Sequence, residues 1–231
     1  MKSMFSDFLS LIYPELCYAC GKGLVNQERC LCTFCKYQLP QTNHYRDRNN
    51  PISKLFWGRV NIHSAAAYYH FEKGGKVQEL IHQLKYKGHE DIGAVLGASF
   101  GQVLKKSDMY EGIDVVLPVP LHPRRLKQRG YNQSESFARG LAKGIGAECL
   151  TDKLCRIVNT TTQTYRSRFD RWSNMQSVFG VRSPDYLDGA HVLLADDVIT
   201  TGSTLEACAQ VLHMVPNVKV SVAAIASAKT S

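Results

Sequence analysis

The stretch that most constrains this chain covers residues 192–204 and reads VLLADDVITTGST. Its four apolar residues show no alternation, which indicates a strand buried on both faces, as in a parallel sheet. Two adjacent acids, Asp196 and Asp197, follow the apolar run, and a Thr/Gly/Ser loop then leads into a helical pattern over residues 205–212. The order strand, turn and helix therefore predicts that both aspartates lie at the carboxyl end of a strand, where open α/β sheets bind ligands.

The loop from Thr200 to Thr204 has the composition of an anion site. Gly202 allows the backbone to approach a ligand closely, and Ser203 or Thr204 is placed to cap the following helix. The first N–H groups of a helix carry partial positive charge and favour a phosphate. Ionised aspartates accept hydrogen bonds from the hydroxyls of a polyol or bind a divalent metal, so a sugar phosphate suits the whole stretch. The alternative is an ordinary strand–turn–helix with two solvated aspartates.

A second candidate anion site follows the strand predicted at residues 113–119. The sequence LHPRRLKQRGYNQ predicts a basic loop that carries Arg124, Arg125 and Arg129. Arginine forks match phosphate oxygens. If this strand neighbours the one that ends at Asp196, the two sites face each other across the sheet edge and hold two phosphate groups with a sugar between them. The alternative is a solvated basic turn.

Four of the eight cysteines form two C-x-x-C pairs, Cys17 with Cys20 and Cys32 with Cys35. Two such pairs close together predict a tetrahedral metal site rather than disulfides. We expect structural zinc, with iron bound through the same sulfurs as the alternative. Cys30 could replace Cys32 as the third ligand.

Bulk properties limit the class of protein. The 231 residues suffice for one core domain with a small appendage. The formal net charge of +8 is concentrated in residues 118–175 and indicates an anionic partner, either nucleic acid or a polyphosphate ligand. No apolar run reaches the ~18–20 residues that span a bilayer, and the N-terminus lacks the features of a signal peptide. We therefore expect a cytoplasmic protein.

Hydrophobic periodicity predicts the remaining elements. Strands are predicted at residues 62–71, 113–119, 155–158, 178–181, 192–196 and 218–226. Helices are predicted at residues 3–12, 77–87 with Gly88 as the stop, 90–105, 134–143 and after residue 204. The polar, basic residues 160–174 are predicted to form a lid.

Taken together, these motifs resemble the ComF family. The signature over residues 192–204 is similar to the phosphoribosyl pyrophosphate (PRPP) motif of type I phosphoribosyltransferases. Four further features carry the rest of the resemblance. They are the four-cysteine module, LKYKG at residues 84–88, PxPLHPRRxxxRGYNQ at 118–133 and QTx5DRxxN at 163–174. It implies a type I phosphoribosyltransferase-like α/β fold, a mainly parallel sheet flanked by helices, over residues 56–231. A zinc ribbon-like module with an N-terminal helix and a linker would occupy residues 1–55.

The resemblance also implies how PRPP and Mg²⁺ would bind. Asp196 and Asp197 would hold the ribose hydroxyls. The 5′-phosphate would bind to Thr200, Thr201, Gly202, Ser203 and Thr204. The pyrophosphate would bind to Arg124, Arg125 and Arg129, and Lys85 belongs to the same PRPP-binding set. Arg168 and Arg171 would close over the site from the lid.

Two functions are compatible with these motifs. The first is an enzyme of natural competence that displaces pyrophosphate from C1 of PRPP by an unknown nitrogen acceptor. The second is a non-enzymatic module of the transformation machinery that senses PRPP, or that binds single-stranded DNA or a competence helicase. The intact diacid favours the enzyme because its evident use is to hold a sugar. The cysteine module favours the binding function.

Overall fold

The computed structural model describes residues 14–25, 27–157 and 178–228. The described strands are β1 Ser64–Phe71, β2 Val115–Pro118, β3 Glu148–Cys149, β4 Leu154–Arg156, β5 Phe179–Val181, β6 His191–Ile199 and β7 Lys219–Ala228. The described α-helices are α1 Thr33–Gln38, α2 Pro51–Lys54, α3 Lys76–Tyr86, α4 Glu90–Leu104, α5 Pro123–Arg129, α6 Gln133–Ile145 and α7 Ser203–Leu212. The helix predicted at residues 3–12 and the lid predicted at residues 160–174 lie outside the described residues.

The main sheet has five parallel strands in the order β1-β7-β6-β2-β3. The predicted adjacency of the two ligand-bearing strands is confirmed, since β2 pairs with β6 from Val115 opposite Val192 to Pro118 opposite Ala195. Strands β4 and β5 form a separate antiparallel pair. The predicted α/β fold with a mainly parallel sheet flanked by helices is confirmed.

The sheet carries a hydrophobic core on each face. Leu193 of β6 packs into the core formed with α3, α4 and α6, while Val192 and Leu194 pack into the core formed with α7. Successive strand residues point to opposite faces. The apolar run without alternation is thus explained by burial on both sides.

Helices α4 and α6 are in backbone contact. No side chain fits at any of five glycines where the two helices face each other, which are Gly93, Gly97, Gly101, Gly140 and Gly144. A Cβ added at Gly97 would lie 2.3 Å from the carbonyl oxygen of Phe137. This close approach fixes α6, whose first turn borders the end of β6.

Two boundary predictions were wrong. Strand β6 does not end at Asp196 but continues to Ile199, because β7 pairs with it as far as Ser227. The predicted basic loop is largely the helix α5. Pro123 begins this helix, the Nδ1 of His122 accepts the N–H of Arg124, and Gly130 ends the helix at φ 82°.

The segment before β1 lies along the free edge of that strand. The Thr42 N–H donates to the carbonyl oxygen of Tyr68, and the Asn50 side chain donates to that of Ala65. These bonds cover an edge that would otherwise expose unpaired backbone groups. The division between residues 55 and 56 stays a prediction. In the described part of the chain, no helix has the length and apolarity needed to cross a membrane.

Candidate functional site

The two adjacent aspartates of β6 have different partners. Asp196 Oδ1 accepts the hydroxyl of Ser134 at 2.9 Å and the N–H of Asp197 at 2.8 Å. Asp197 Oδ1 pairs with the Lys85 ammonium nitrogen at 2.9 Å. Asp197 Oδ2 is buried and accepts no hydrogen bond from any described residue. A buried oxygen of this kind requires a donor or a cation beyond those that the described side chains supply.

The environment of Asp196 disfavours its charge. Burial, and next the charge of Asp197, raise the pKa of Asp196 to about 7, and the hydrogen bonds from Asp197 and Ser134 only partly offset this. Above pH 7, the ionised carboxylates of Asp196 and Asp197 repel each other and lower the free energy of unfolding. As the pH falls below 7, Asp196 takes up a proton and this destabilisation decreases. A bound cation or a set of hydroxyl donors would stabilise the ionised form. We therefore expect ligand binding through this carboxylate to weaken as the pH falls below 7.

A cavity of about 430 Å³ opens above the diacid, where β2 has already ended at Pro118. Both aspartates line it, together with four cationic side chains. These cations are Lys85, Arg125, Arg129 and Arg156. The combination suits a ligand that carries several negative charges and also offers hydroxyl donors.

The three arginines of the basic helix α5 differ in whether they line the cavity. Arg125 lines it and has no hydrogen bond or ion pair with a described residue, so its guanidinium is available. Arg129 donates to the Gln133 side chain at 2.7 Å and lies over the Tyr86 ring at 5.1 Å. Arg124 is exposed and does not line the cavity. The structure therefore brings two of the three predicted arginines to the diacid.

The end of α3 is held in place from the turn between α5 and α6. The hydroxyl of Tyr131 donates to the carbonyl oxygen of Leu84, next to Lys85. The helix then stops at Lys87, and Gly88 adopts φ 78°, as the sequence predicted. This anchoring points Lys85 at Asp197.

The loop of Thr200, Thr201, Gly202, Ser203 and Thr204 lines a second, smaller cavity of about 40 Å³ that also borders Asp196. The prediction that Ser203 or Thr204 caps the helix was wrong. The N-cap is Gly202, one residue before Ser203 and at φ 76°, and it has no side chain to cap the helix. The Thr201 hydroxyl accepts the N–H of Ser203 at 3.5 Å. The hydroxyls of Thr201 and Ser203 bond each other at 2.8 Å. The first turn of α7 thus keeps donors for an anion.

The four cysteines of the two C-x-x-C pairs converge. The sulfurs of Cys17, Cys20, Cys32 and Cys35 all lie within 4.8 Å of one another, and those of Cys20 and Cys32 are 3.8 Å apart. Sulfurs bound ~2.3 Å from one tetrahedral zinc ion lie about 3.8 Å from each other. Cys30 lies apart from this cluster and donates its thiol to Asp91 Oδ2 at 2.9 Å. The cluster can hold a metal ion and is compatible with structural zinc.

Four polar residues that line the cavity were not among the predicted site residues, and they are His122, Gln133, Ser134 and Arg156. Arg156 lies on β4, over the ring of Phe179 at 5.1 Å, and no local pattern marks it because its position depends on the antiparallel pairing of β4 with β5, which is distant in sequence. Ser134 is the second residue of α6, after the N-cap Asn132, and its place at the start of the predicted helix was a usable signal. Arg168 and Arg171 lie outside the described residues.

Comparison with known proteins found no matching family model. The chain is 34% identical over 136 residues to DNA utilization protein YhgH of Salmonella typhi, an alignment that spans 58% of this chain and 59% of that relative. It is 32% identical over 208 residues to the YhgH protein of Escherichia coli O157:H7, which covers 88% of this chain and 86% of the relative. It is 25% identical over 212 residues to competence protein ComFC of Bacillus subtilis, with 88% and 81% covered.

Proposed function

This chain belongs to the ComF family, and we propose that it binds PRPP at the β6 diacid and transfers the ribosyl phosphate to a nitrogen acceptor. The names of the relatives, which refer to competence and to DNA utilization, support a role in DNA uptake. The observation that carries the proposed chemistry is the buried Asp197 Oδ2, which has no hydrogen-bond donor among the described residues and lies beside a cavity rich in cations.

Each part of PRPP has a matching set of side chains. The loop at the start of α7 takes the 5′-phosphate, and the diacid accepts the two ribose hydroxyls. Arg125 and Arg129 face the other side of the cavity and take the pyrophosphate. The carboxylate oxygens of Asp196 and Asp197 are also suited to Mg²⁺, which when bound would neutralise part of the pyrophosphate charge.

The same side chains favour departure of pyrophosphate. As the bond at C1 lengthens, positive charge develops on the sugar ring, and the fixed carboxylates of Asp196 and Asp197 stabilise it. Negative charge develops at the same time on the leaving group, and the guanidinium groups of Arg125 and Arg129 stabilise that charge. Lys85 holds Asp197 in position through its ion pair.

The proposed function predicts thermal protection by PRPP with Mg²⁺. A ligand at ~100 times its Kd stabilises the folded state by about 2.7 kcal/mol, which raises the melting temperature of a protein of this size by about 5–10 °C. Replacing both Asp196 and Asp197 by Asn should abolish the shift, because the sugar hydroxyls and the metal lose their acceptors. Differential scanning fluorimetry measures this effect.

The matched control is Asp185→Asn, an exposed carboxylate that does not line the cavity. This variant should keep the full shift. A wild-type protein whose melting temperature is unchanged by PRPP with Mg²⁺ would contradict the proposal. Release of pyrophosphate in the presence of candidate nitrogen acceptors then separates an enzyme from a sensor.

A second function, binding of single-stranded DNA, is favoured by the surface of the cysteine module. Phe34 and Tyr37 of α1 are 56% and 84% exposed. The ammonium groups of Lys22 and Lys76 lie 5.7 Å and 5.3 Å from the Phe34 ring centroid. Exposed aromatics among lysines form a stacking platform for bases with charges for the phosphates.

If this surface binds single-stranded DNA, Phe34→Ala and Tyr37→Ala should each weaken the complex on the order of tenfold through lost stacking. The log–log slope of affinity against salt should be ~−0.7 per phosphate contact. Fluorescence anisotropy with a labelled oligonucleotide measures both. Tyr186→Ala is the control, since that ring is 55% exposed and has Lys153 over it at 4.7 Å elsewhere on the surface. Equal losses for all three variants would contradict this assignment.

A further inference from the structure

An arginine from the segment before β1 reaches the loop at the start of α7. Arg59 Nη1 donates to the carbonyl oxygens of Leu55 at 3.0 Å and of Thr201 at 3.1 Å. Its Nη2 pairs with the carboxylate of Glu206. One guanidinium therefore joins the segment before β1 to two points, Thr201 and Glu206, of the loop–helix unit that would bind the 5′-phosphate.

Glu206 is an unusual neighbour for a phosphate. It lies in the first turn of α7, and its N–H bonds the Gly202 carbonyl oxygen at 2.9 Å. A carboxylate there stabilises the helix when the loop is empty, but it opposes a second negative charge at the same terminus. The ion pair with Arg59 compensates that charge.

The bond to Thr201 also fixes the orientation of a peptide group. In a trans peptide the C=O and the next N–H point in opposite directions. Because the Thr201 carbonyl is held toward Arg59, the Gly202 N–H is turned away from Arg59. Gly202 lines the small cavity, and the ring of Phe56 supports it from behind, 3.2 Å from where a Cβ would lie.

We infer that Arg59 is a positioning residue for phosphate binding at the 200–204 loop, where it compensates Glu206 and orients the Thr201–Gly202 peptide. The inference rests on the proposed function, because it takes the loop as the 5′-phosphate site. Arg59 lines neither the large cavity with the diacid nor the small one. It acts on the ligand only through the loop and the helix.

The test measures two ligands separately by isothermal titration calorimetry. Ribose 5-phosphate requires the loop, whereas pyrophosphate binds on the Arg125 and Arg129 side. Arg59→Ala should weaken ribose 5-phosphate binding on the order of tenfold, of which about two- to fivefold comes from the uncompensated charge of Glu206. Pyrophosphate affinity should stay unchanged. A general loss of structure would weaken both ligands alike.

Three further variants sharpen the comparison. Adding Glu206→Gln to Arg59→Ala should recover the part of the loss that is due to charge. Arg59→Lys should lose less affinity than Arg59→Ala because it keeps the charge but not the fork, and it serves as the test variant if Arg59→Ala does not fold. Arg139→Ala removes an exposed ion pair with Glu135 outside both cavities and should leave both affinities unchanged.

The outcomes distinguish failure of the proposed function from failure of the inference about Arg59. A wild-type protein that binds neither ligand would overturn the proposed function and the inference with it. A wild-type protein that binds both, with Arg59→Ala showing unchanged affinity for ribose 5-phosphate or equal losses for the two ligands, would overturn the inference alone. A loss confined to ribose 5-phosphate, with partial recovery by Glu206→Gln, would support it.

Discussion

Removal of the metal from the four-cysteine cluster is expected to abolish the ordered structure of residues 14–39. Apart from its cysteines, the described part of this segment buries only three apolar side chains, those of Ala19, Leu31 and Leu39. Helix α1 is only six residues long, with the Cys32 sulfur accepting the N–H of Cys35 at its start. Metal binding to such modules is worth about 10–16 kcal/mol and is inseparable from their folding. The four sulfurs lie within 4.8 Å of one another, and a metal ion bound among them would be the group that holds them together.

Amide spectra recorded before and after chelation measure this effect. The amides of residues 14–39 should collapse toward random-coil positions, while those of β6 and β7 should persist if the main domain folds independently from residue 56. The spectra therefore also test the predicted domain boundary. An unchanged spectrum after complete removal of the metal would contradict a structural role for the ion.

A matched pair of variants tests which cysteines bind the ion. Cys32→Ser should lose the metal, because Cys32 belongs to the cluster. Cys30→Ser should keep it, because Cys30 donates to Asp91 and a serine hydroxyl can make the same bond. Elemental analysis of the two purified variants gives the metal content and also separates zinc from iron. Retention by Cys32→Ser together with loss by Cys30→Ser would reverse the ligand assignment.

The elements that could be predicted from sequence are those with a strong local pattern. Helices α3 and α4 showed clear periodicity, and β6 and β7 were dense apolar runs, so their positions are correct to within a few residues. The motif residues converge for the same reason. Asp196, Asp197 and the loop after them lie on one strand–turn–helix unit, and the parallel pairing of β2 with β6 brings Arg125 and Arg129 to it.

The parts that could not be predicted depend on contacts between distant residues. Arg59 and Glu206 are 147 positions apart, and Cys30 and Asp91 are 61 apart, so no spacing rule connects them. Helix α5 is different, because its proline at the first position and its glycine after the end are ordinary helix signals. The density of basic residues between them favoured a ligand-binding loop in the sequence analysis and obscured those signals.

Gly97→Ala is expected to destabilise the protein strongly, although the same change in an exposed helix stabilises it by about 0.5–1 kcal/mol. The added Cβ would lie 2.3 Å from the Phe137 carbonyl oxygen and 2.9 Å from the Leu141 nitrogen. Both are backbone atoms of α6, so no side-chain rotation can relieve the contact and the two helices must separate. We expect a loss of about 3 kcal/mol, the upper end of the range for overpacked cores, and a melting temperature lower by about 6–12 °C.

The separation of α4 and α6 should also change the candidate site. Helix α6 begins at Gln133, and its second residue, Ser134, donates the hydrogen bond that holds Asp196. Gly97→Ala should therefore lower both the melting temperature and the stabilisation by PRPP with Mg²⁺. The control is Gln102→Ala, which changes an exposed position of the same helix and should alter the melting temperature by less than about 2 °C. Equal melting temperatures for the two variants would show that α4 and α6 can separate without loss of stability. In that case, the close packing of these helices would not be the cause of the position of Ser134 beside Asp196.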